Sequence, residues 1–152
     1  SPRLQGYDYS QSGGYFITIC THERKHMFGK IDDAIMMLSE SGQIANDCWI
    51  AVPEHYPDVT LGDFIIMPNH IHGILYFSGD NSTFKTILGR VINAYKGAVT
   101  ARICKLHQTQ QIVWQSRYYD HILRDDIDEL RIRTYIQNNV GKWADDSLYA
   151  DS

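Results

Sequence analysis

Two histidines one residue apart, His70-Ile71-His72, follow Pro68-Asn69 and open an apolar run that continues to Phe77. Side chains of an extended strand alternate between its faces, so His70 and His72 share one face, roughly 6 to 7 Å apart along the strand, and Ile71 points to the other. Two imidazoles so placed can grip one divalent ion; the same pattern also suits two histidines on a solvent-facing strand. Near the C-terminus Arg131, Tyr135 and Asn139 recur every fourth residue. On a helix they form one stripe beside the apolar stripe of Ile132, Ile136 and Val140. That sets a tyrosine hydroxyl beside an amide, although a half-buried tyrosine satisfied by a neighbour gives the same spacing. A third set, Cys20-Thr-His22 with His26, has the spacing of three zinc ligands but lacks a fourth nearby, and a strand end followed by a polar loop explains it as well.

Between positions 84 and 124 the chain carries Lys85, Arg90, Lys96, Arg102, Lys105, Arg117 and Arg124 against the single acid Asp120, a local +6 in a chain of net charge -4. Charge segregated this strongly suggests an anionic partner. Tyr95, Trp114, Tyr118 and Tyr119 are interleaved with these cations and offer flat rings on which unpaired bases could stack. A solvated helix face with core aromatics would produce the same pattern.

These residues need elements to hold them. Tyr15-Phe-Ile-Thr-Ile-Cys20 is β-branched and aromatic and predicts a buried strand. Residues 31–38 fit either a strand or a helix, and the strand reading is preferred. Residues 41–50 read as a helix, with Ser41 as the N-cap type and Pro53 and Pro57 ending it. Residues 59–67 and 71–77 form a hairpin about Pro68-Asn69. Phe84, Leu88, Val91, Ile92, Tyr95, Val99 and Ile103 fall at helical spacing and predict a long amphipathic helix over 84–106. After a polar stretch, residues 112–114 and 118–123 read as a last strand. A final helix should open on the acids Asp125, Asp126 and Asp128 and run to about Val140, where Gly141 stops it. The order is α+β: a ferredoxin-like (RRM-like) antiparallel sheet with helices packed on one face.

Length and composition agree. The 152 residues suit one domain spanning 1–152, and 43% hydrophobic with 21% charged residues excludes disordered, collagenous and membrane classes. The net charge of -4 counts against coating nucleic acid by bulk charge and leaves room for a local basic groove. Cys20, Cys48 and Cys104 are odd in number and far apart, which disfavours a disulfide framework and suits a reducing cytoplasm. No apolar run approaches the roughly 20 residues of a membrane span. A serine at position 1 suggests that the natural start has been removed.

Together, Phe64-Ile-Ile-Met-Pro-Asn-His-Ile-His-Gly-Ile-Leu75, the basic helix with Phe84-Lys85 and Tyr95-Lys96, Trp114-Gln115, Tyr118-Tyr-Asp-His-Ile-Leu-Arg124 and Tyr135-Ile-Gln-Asn-Asn139 resemble the single-strand DNA transposases of the HUH, single-tyrosine type. The branch they look most like is the REP-associated tyrosine transposases, whose pattern runs Tyr-Ile-x-x-Asn-Pro and ends in a tryptophan with nearby acids, as Trp143 and Asp145-Asp146 do here. The resemblance spans about residues 15–146. It implies that His70 and His72 bind a metal, Tyr135 is the nucleophile, and Asn139 is the helix-borne third ligand. Val140 stands where the branch usually has proline, a departure that touches the helix end rather than the chemistry.

The chemistry so implied has a definite cost. A phenol of pKa about 10 is only about one part in a thousand ionised at pH 7, so reaching the phenolate costs roughly 4 kcal/mol. A divalent ion on His70, His72 and Asn139 would offset part of this by drawing charge from a phosphate oxygen. Mixed imidazole and amide donors suit Mg²⁺, with Mn²⁺ as a substitute, rather than selecting zinc. The expected substrate is single-stranded DNA beside a hairpin (an inverted repeat), its backbone carried by Lys85, Arg90, Lys96, Arg102, Lys105, Arg117 and Arg124. The expected product is a 5′-phosphotyrosine with a free 3′-hydroxyl. Family members include monomers and homodimers with the tyrosine acting in trans, and no residue here separates them. A non-catalytic single-strand binding module on the same fold, or a hydrolase using His70 and His72 with water, are the alternatives.

Overall fold

The computed structural model describes residues 13–79 and 83–145. Residues 1–12, residues 80–82 of the loop after Phe77, and residues 146–152, with Asp146 of the tryptophan-acid pattern, lie outside the described residues. In chain order the elements are β1 (Gly14–Cys20), a 3-10 turn (His22–Arg24), β2 (Gly29–Asp32), β3 (Ile35–Leu38), α1 (Glu40–Ile50), α2 (Val52–His55), β4 (Val59–Met67), β5 (His70–Phe77), α3 (Phe84–His107), β6 (Tyr119–Ile122), α4 (Asp126–Asn138) and a closing 3-10 turn (Trp143–Asp145).

Strands β4, β5, β1 and β6 lie side by side in that order, all antiparallel. This is the ferredoxin-like order, with β1 and β5 central. All eight residues of β5 are buried, as expected of a strand covered on both faces. One face carries Tyr15, Ile17, Ile19, Ile66, Ile71 and Leu75, and packs against Trp49 of α1 and the apolar row of α3. Gly73 makes room there, since a Cβ on it would sit 2.6 Å from the Trp49 ring. The other face carries Phe16, Ile65, Ile74 and Tyr76, and receives Ile132 and Ile136 of α4. The α+β class stands, with α1 and α3 sharing one face; α4 takes the opposite one, so the sheet is sandwiched.

Several local expectations are corrected. Residues 31–38 are two short strands rather than one, joined at Asp33 and Ala34, whose φ angles of 53 and 58 make the mirror-image turn that suits a tight hairpin. The N-cap of α1 is Ser39, not Ser41: its hydroxyl accepts from Gly42 N at 3.0 Å. Residues 112–114 form no strand, and only Trp114 bridges to Thr21. No described helix is long and apolar enough to cross a membrane.

Candidate active site

The Pro68-Asn69 turn, with Met67 opposite His70, places both histidines at the start of β5. Period-2 alternation puts them on the α4 face, with ring centroids 4.5 Å apart. Each Nδ1 is held by a polar neighbour. That of His70 contacts Asn69 Oδ1 at 2.7 Å, and that of His72 contacts Thr18 Oγ1, across the strand pair, at 2.8 Å. This leaves Nε2 as the nitrogen each ring can turn to a ligand. Burial and the neighbouring His70 push the His72 imidazole down to about 2, so at neutral pH it is the uncharged form that coordinates metals. Phe16 stacks on His72 at 5.2 Å, and Trp143 lies 6.1 Å from His70.

Helix α4 brings the third group. Asp125 caps it, accepting from Asp128 N at 2.8 Å. Asp128 in turn accepts from His121 Nε2 at 2.9 Å and Arg124 N at 3.1 Å, and pairs with Arg131. Tyr76 of β5 donates to Glu129. Further along, Asp63 Oδ2 accepts from Arg133 Nε at 3.2 Å and Gln137 Nε2 at 3.0 Å. Asp63 can do this because of a bulge: Gly62 and Asp63 together oppose the single residue Ile74, between the pairs Leu61↔Leu75 and Phe64↔Gly73. The extra residue keeps Leu61 and Phe64 on the α3 face while turning Asp63 towards α4. With only Ile132 and Ile136 as buried apolar anchors, the helix depends on this polar clamp for its orientation.

Tyr135, so oriented, sits with its hydroxyl 3.5 Å from His72 Nε2 and its ring edge-on to Phe16 at 6.2 Å. Asn139, one turn further on, is buried at the C-cap. Among the described residues no cluster of three or more His, Cys, Asp or Glu could hold a metal, so the Cys20, His22, His26 zinc set is not assembled; His26 instead packs against Trp143. Two imidazoles on one strand and the carboxamide of Asn139 on α4 supply mixed nitrogen and oxygen donors, a set whose chemistry fits a divalent cation that keeps open positions for water and phosphate.

Comparisons with known proteins place this arrangement. No family model matches the chain. An uncharacterised protein of Haemophilus influenzae is 36% identical across 99% of this chain and 93% of its own. A second protein of that organism, provisionally named a REP-associated tyrosine transposase, is 22% identical across 89% of this chain and 74% of its own. The fold is similar to the solved structure of a REP-associated tyrosine transposase bound to a REP hairpin, with TM-score 0.66 at 20% identity, covering 94% of this chain and 74% of that one. The chain is thus similar to REP-associated tyrosine transposases in sequence and in fold. A Deinococcus radiodurans protein provisionally named a transposase has the same fold, with TM-score 0.56 at 17% identity over 91% of this chain and 97% of that one.

Of the residues singled out from the sequence, His70, His72 and Tyr135 meet, and Asn139 follows one turn on. The cations are scattered. Those of α3 ride on the helix that packs against the opposite face of the sheet. There Lys85 pairs with Asp120 at 2.5 Å, Lys96 donates to the Gln115 carbonyl at 2.9 Å, and Arg102 Nη1 lies 3.5 Å from Cys48 Sγ. Burial pulls the Lys96 amine below its ordinary value. Lys96 and Lys105 line a groove of about 1040 Å³ between α3 and the 108–116 segment. Arg90, Lys105, Arg117 and Arg124 are exposed. Two of the expected stacking rings belong to the core instead: Tyr95 donates to the Ala45 carbonyl and Trp114 Nε1 to the Lys96 carbonyl. Tyr119 is 61% exposed.

Sequence reading missed Phe16, Thr18, Asn69 and Asp63 as parts of the site. The first two could be found only by pairing β1 with β5, and Asp63 only through the bulge. Asn69 was visible in the turn, but its side chain's role was not.

Proposed function

We propose that this chain is a metal-dependent single-strand DNA endonuclease and strand transferase acting beside hairpins. The carrying observation is the approach of the Tyr135 hydroxyl to His72 within one chain. Tyr135 Oη attacks a phosphodiester phosphorus; the phenolic proton goes to solvent, the Oη–P bond forms, the P–O3′ bond breaks, and the leaving 3′-oxygen takes one proton from solvent to become the 3′-hydroxyl. The product is a 5′-phosphotyrosine on Tyr135. A 3′-hydroxyl from another strand reverses the step, and because the phosphodiester is retained in the protein link, no nucleoside triphosphate is consumed.

His72 is not the base in this reading. Burial and the neighbouring His70 hold the His72 imidazole far below its ordinary value, which makes it a poor acceptor for the phenolic proton, whose release to solvent at pH 7 costs about 4 kcal/mol. Its task is to stay neutral and hold a cation with His70 and Asn139. Mg²⁺ is the cation proposed, with Mn²⁺ as substitute; when bound, it would draw charge from a phosphate oxygen and so offset part of the cost of the phenolate. The Phe16 ring edge and the α4 clamp keep the attacking oxygen at the histidines, which supplies orientation. Because hydroxyl and imidazole come from one chain, the arrangement supports action in cis.

The hairpin-bound relative of similar fold motivates the substrate: single-stranded DNA with an inverted repeat, engaged by exposed cations among Arg90, Lys105, Arg117 and Arg124. The test incubates the protein with Mg²⁺ and single-stranded DNA from beside its own gene, then runs a denaturing gel. A protein-linked DNA band that disappears in Tyr135→Phe is expected. Cleavage without a band, or a band in the phenylalanine variant, overturns the nucleophile.

A further inference from the structure

The loop after β1 holds two consecutive non-glycine residues in the left-handed region, Glu23 at φ 54 and Arg24 at φ 55. Such backbone is disfavoured for residues with a side chain and persists where its surroundings enforce it. Here the enforcement comes from Thr21, whose carbonyl accepts from Arg24 N at 3.1 Å and whose hydroxyl reaches the Lys25 carbonyl at 2.8 Å. Thr21 N also donates to the Asn69 carbonyl at 2.9 Å, and Phe28 N donates to the Pro68 carbonyl at 3.0 Å. The loop is therefore stitched onto the β4–β5 turn.

Its consequence lies in one atom. The left-handed turn directs the Arg24 carbonyl at Asn69 Nδ2, 3.4 Å away. A carbonyl oxygen only accepts, so this contact sets which end of the Asn69 carboxamide faces which way. The other end, Oδ1, then faces His70 Nδ1 at 2.7 Å. Oδ1 also only accepts, so in the neutral ring the proton must sit on Nδ1 and the lone pair on Nε2. An imidazole left to itself favours the opposite tautomer, with its proton on Nε2.

We propose that Asn69 is a positioning residue that sets His70 as the Nδ1–H tautomer before any cation arrives, and that the left-handed Glu23-Arg24 turn orients Asn69 for this purpose. The inference rests on the reading of His70 as a ligand only for its usefulness; the tautomer itself is a property of the metal-free chain. It gives β5 one ligand nitrogen whose lone pair is already on Nε2, so that binding there waits for no tautomer shift.

The test is long-range ¹H–¹⁵N NMR of the metal-free full chain labelled at histidine, with His70 assigned by its absence in His70→Ala. Nδ1 should carry the proton and Nε2 the lone pair. In Asn69→Leu the His70 signals should move towards the Nε2–H form, and Mn²⁺ affinity measured by calorimetry should fall about 10- to 100-fold. Arg24→Gly, which keeps the carbonyl and adopts the left-handed turn without strain, should leave the tautomer unchanged. An Nε2 proton in the unmutated protein overturns the proposal without reference to any variant, as does a folded Asn69→Leu that keeps its Nδ1 proton. An Nδ1–H tautomer in a protein that binds no Mn²⁺ would leave the positioning role intact and sink the metal reading instead.

Discussion

Tyr135 Oη lies 3.5 Å from His72 Nε2 across 63 residues of sequence. The hydroxyl comes from a helix, the imidazole from a central strand, and the Phe16 ring contacts both. Neither group is placed by its neighbours in sequence, so the consequences of altering the site divide into those that remove a reacting atom and those that let the helix drift.

Removing the hydroxyl should leave the protein standing. Tyr135 is 45% exposed, and Tyr135→Phe keeps the ring against Phe16, so a change below about 0.5 kcal/mol is expected in thermal unfolding. Single-strand binding should stay within twofold of the parent by filter binding while the covalent adduct vanishes. A binding defect as large as the cleavage defect would mean that the tyrosine holds DNA rather than attacks it.

Taking away the cation should stop cleavage and spare binding. EDTA is expected to abolish adduct formation, with Mg²⁺ or Mn²⁺ restoring it, and His72→Ala should be inactive under all three conditions. That variant also loses the Phe16 stack and the Thr18 hydrogen bond, so it should unfold about 1–3 kcal/mol more easily. Full activity in EDTA would eliminate the metal.

The clamp on α4 is testable apart from the chemistry. Asp63→Ala strips Arg133 and Gln137 of their shared acceptor, a loss of about 2 kcal/mol for a charged hydrogen-bonded group. Hydrogen exchange should quicken in α4 while α1 and α3 keep their protection, and kcat should fall with little change in KM. Uniform loosening of all helices would show that Asp63 supports the whole fold rather than the tyrosine helix.

Acid should act through Asp128. Burial alone would raise its carboxyl, but the hydrogen bonds from His121 and Arg124 N and the charge of Arg131 outweigh burial and hold it below the ordinary value. A depressed carboxyl contributes stability that is fully present above the unfolded value near 4 and is lost as the pH falls through the lower folded value. Asp128→Asn should therefore melt lower than the parent at pH 7, by about 1–3 kcal/mol, with the gap closing below about pH 4. A gap that persists at about pH 2 would assign the loss to packing instead of charge.

Salt dependence separates the scattered cations. Each phosphate contact on single strands contributes about 0.7 to the slope of log affinity against log salt. Replacing Arg117 or Arg124 by alanine should each reduce that slope by about this amount, and so should Arg90→Ala or Lys105→Ala if DNA reaches the α3 face. Lys85, already paired with Asp120, should matter less. An unchanged slope for Arg90→Ala and Lys105→Ala would confine the DNA to the histidine side.

Much of this molecule is legible in its residues because the signals are local. Strand alternation puts His70 and His72 on one face wherever that strand lies, and fourfold spacing puts Arg131, Tyr135 and Asn139 on one stripe wherever that helix packs. The long apolar row of α3 and the Pro68-Asn69 turn are equally local. Residues 31–38 look like one element in the sequence because a short run rich in apolar residues shows no interior turn unless glycine or asparagine marks it, and here Asp33 and Ala34 take the left-handed angles. Ser39 and Ser41 are both suitable caps, and only the Gly42 contact distinguishes them.

What spacing and periodicity determined by themselves is which side chains travel together on each element. Which elements face one another was decided by tertiary structure alone: α4 against the histidine face and α3 behind it, Asp63 turned by its bulge, Asn69 turned by the Arg24 carbonyl, and Tyr95 and Trp114 drawn into the core. The reason is that these choices depend on contacts between segments far apart in the chain, whose free energies no single segment contains.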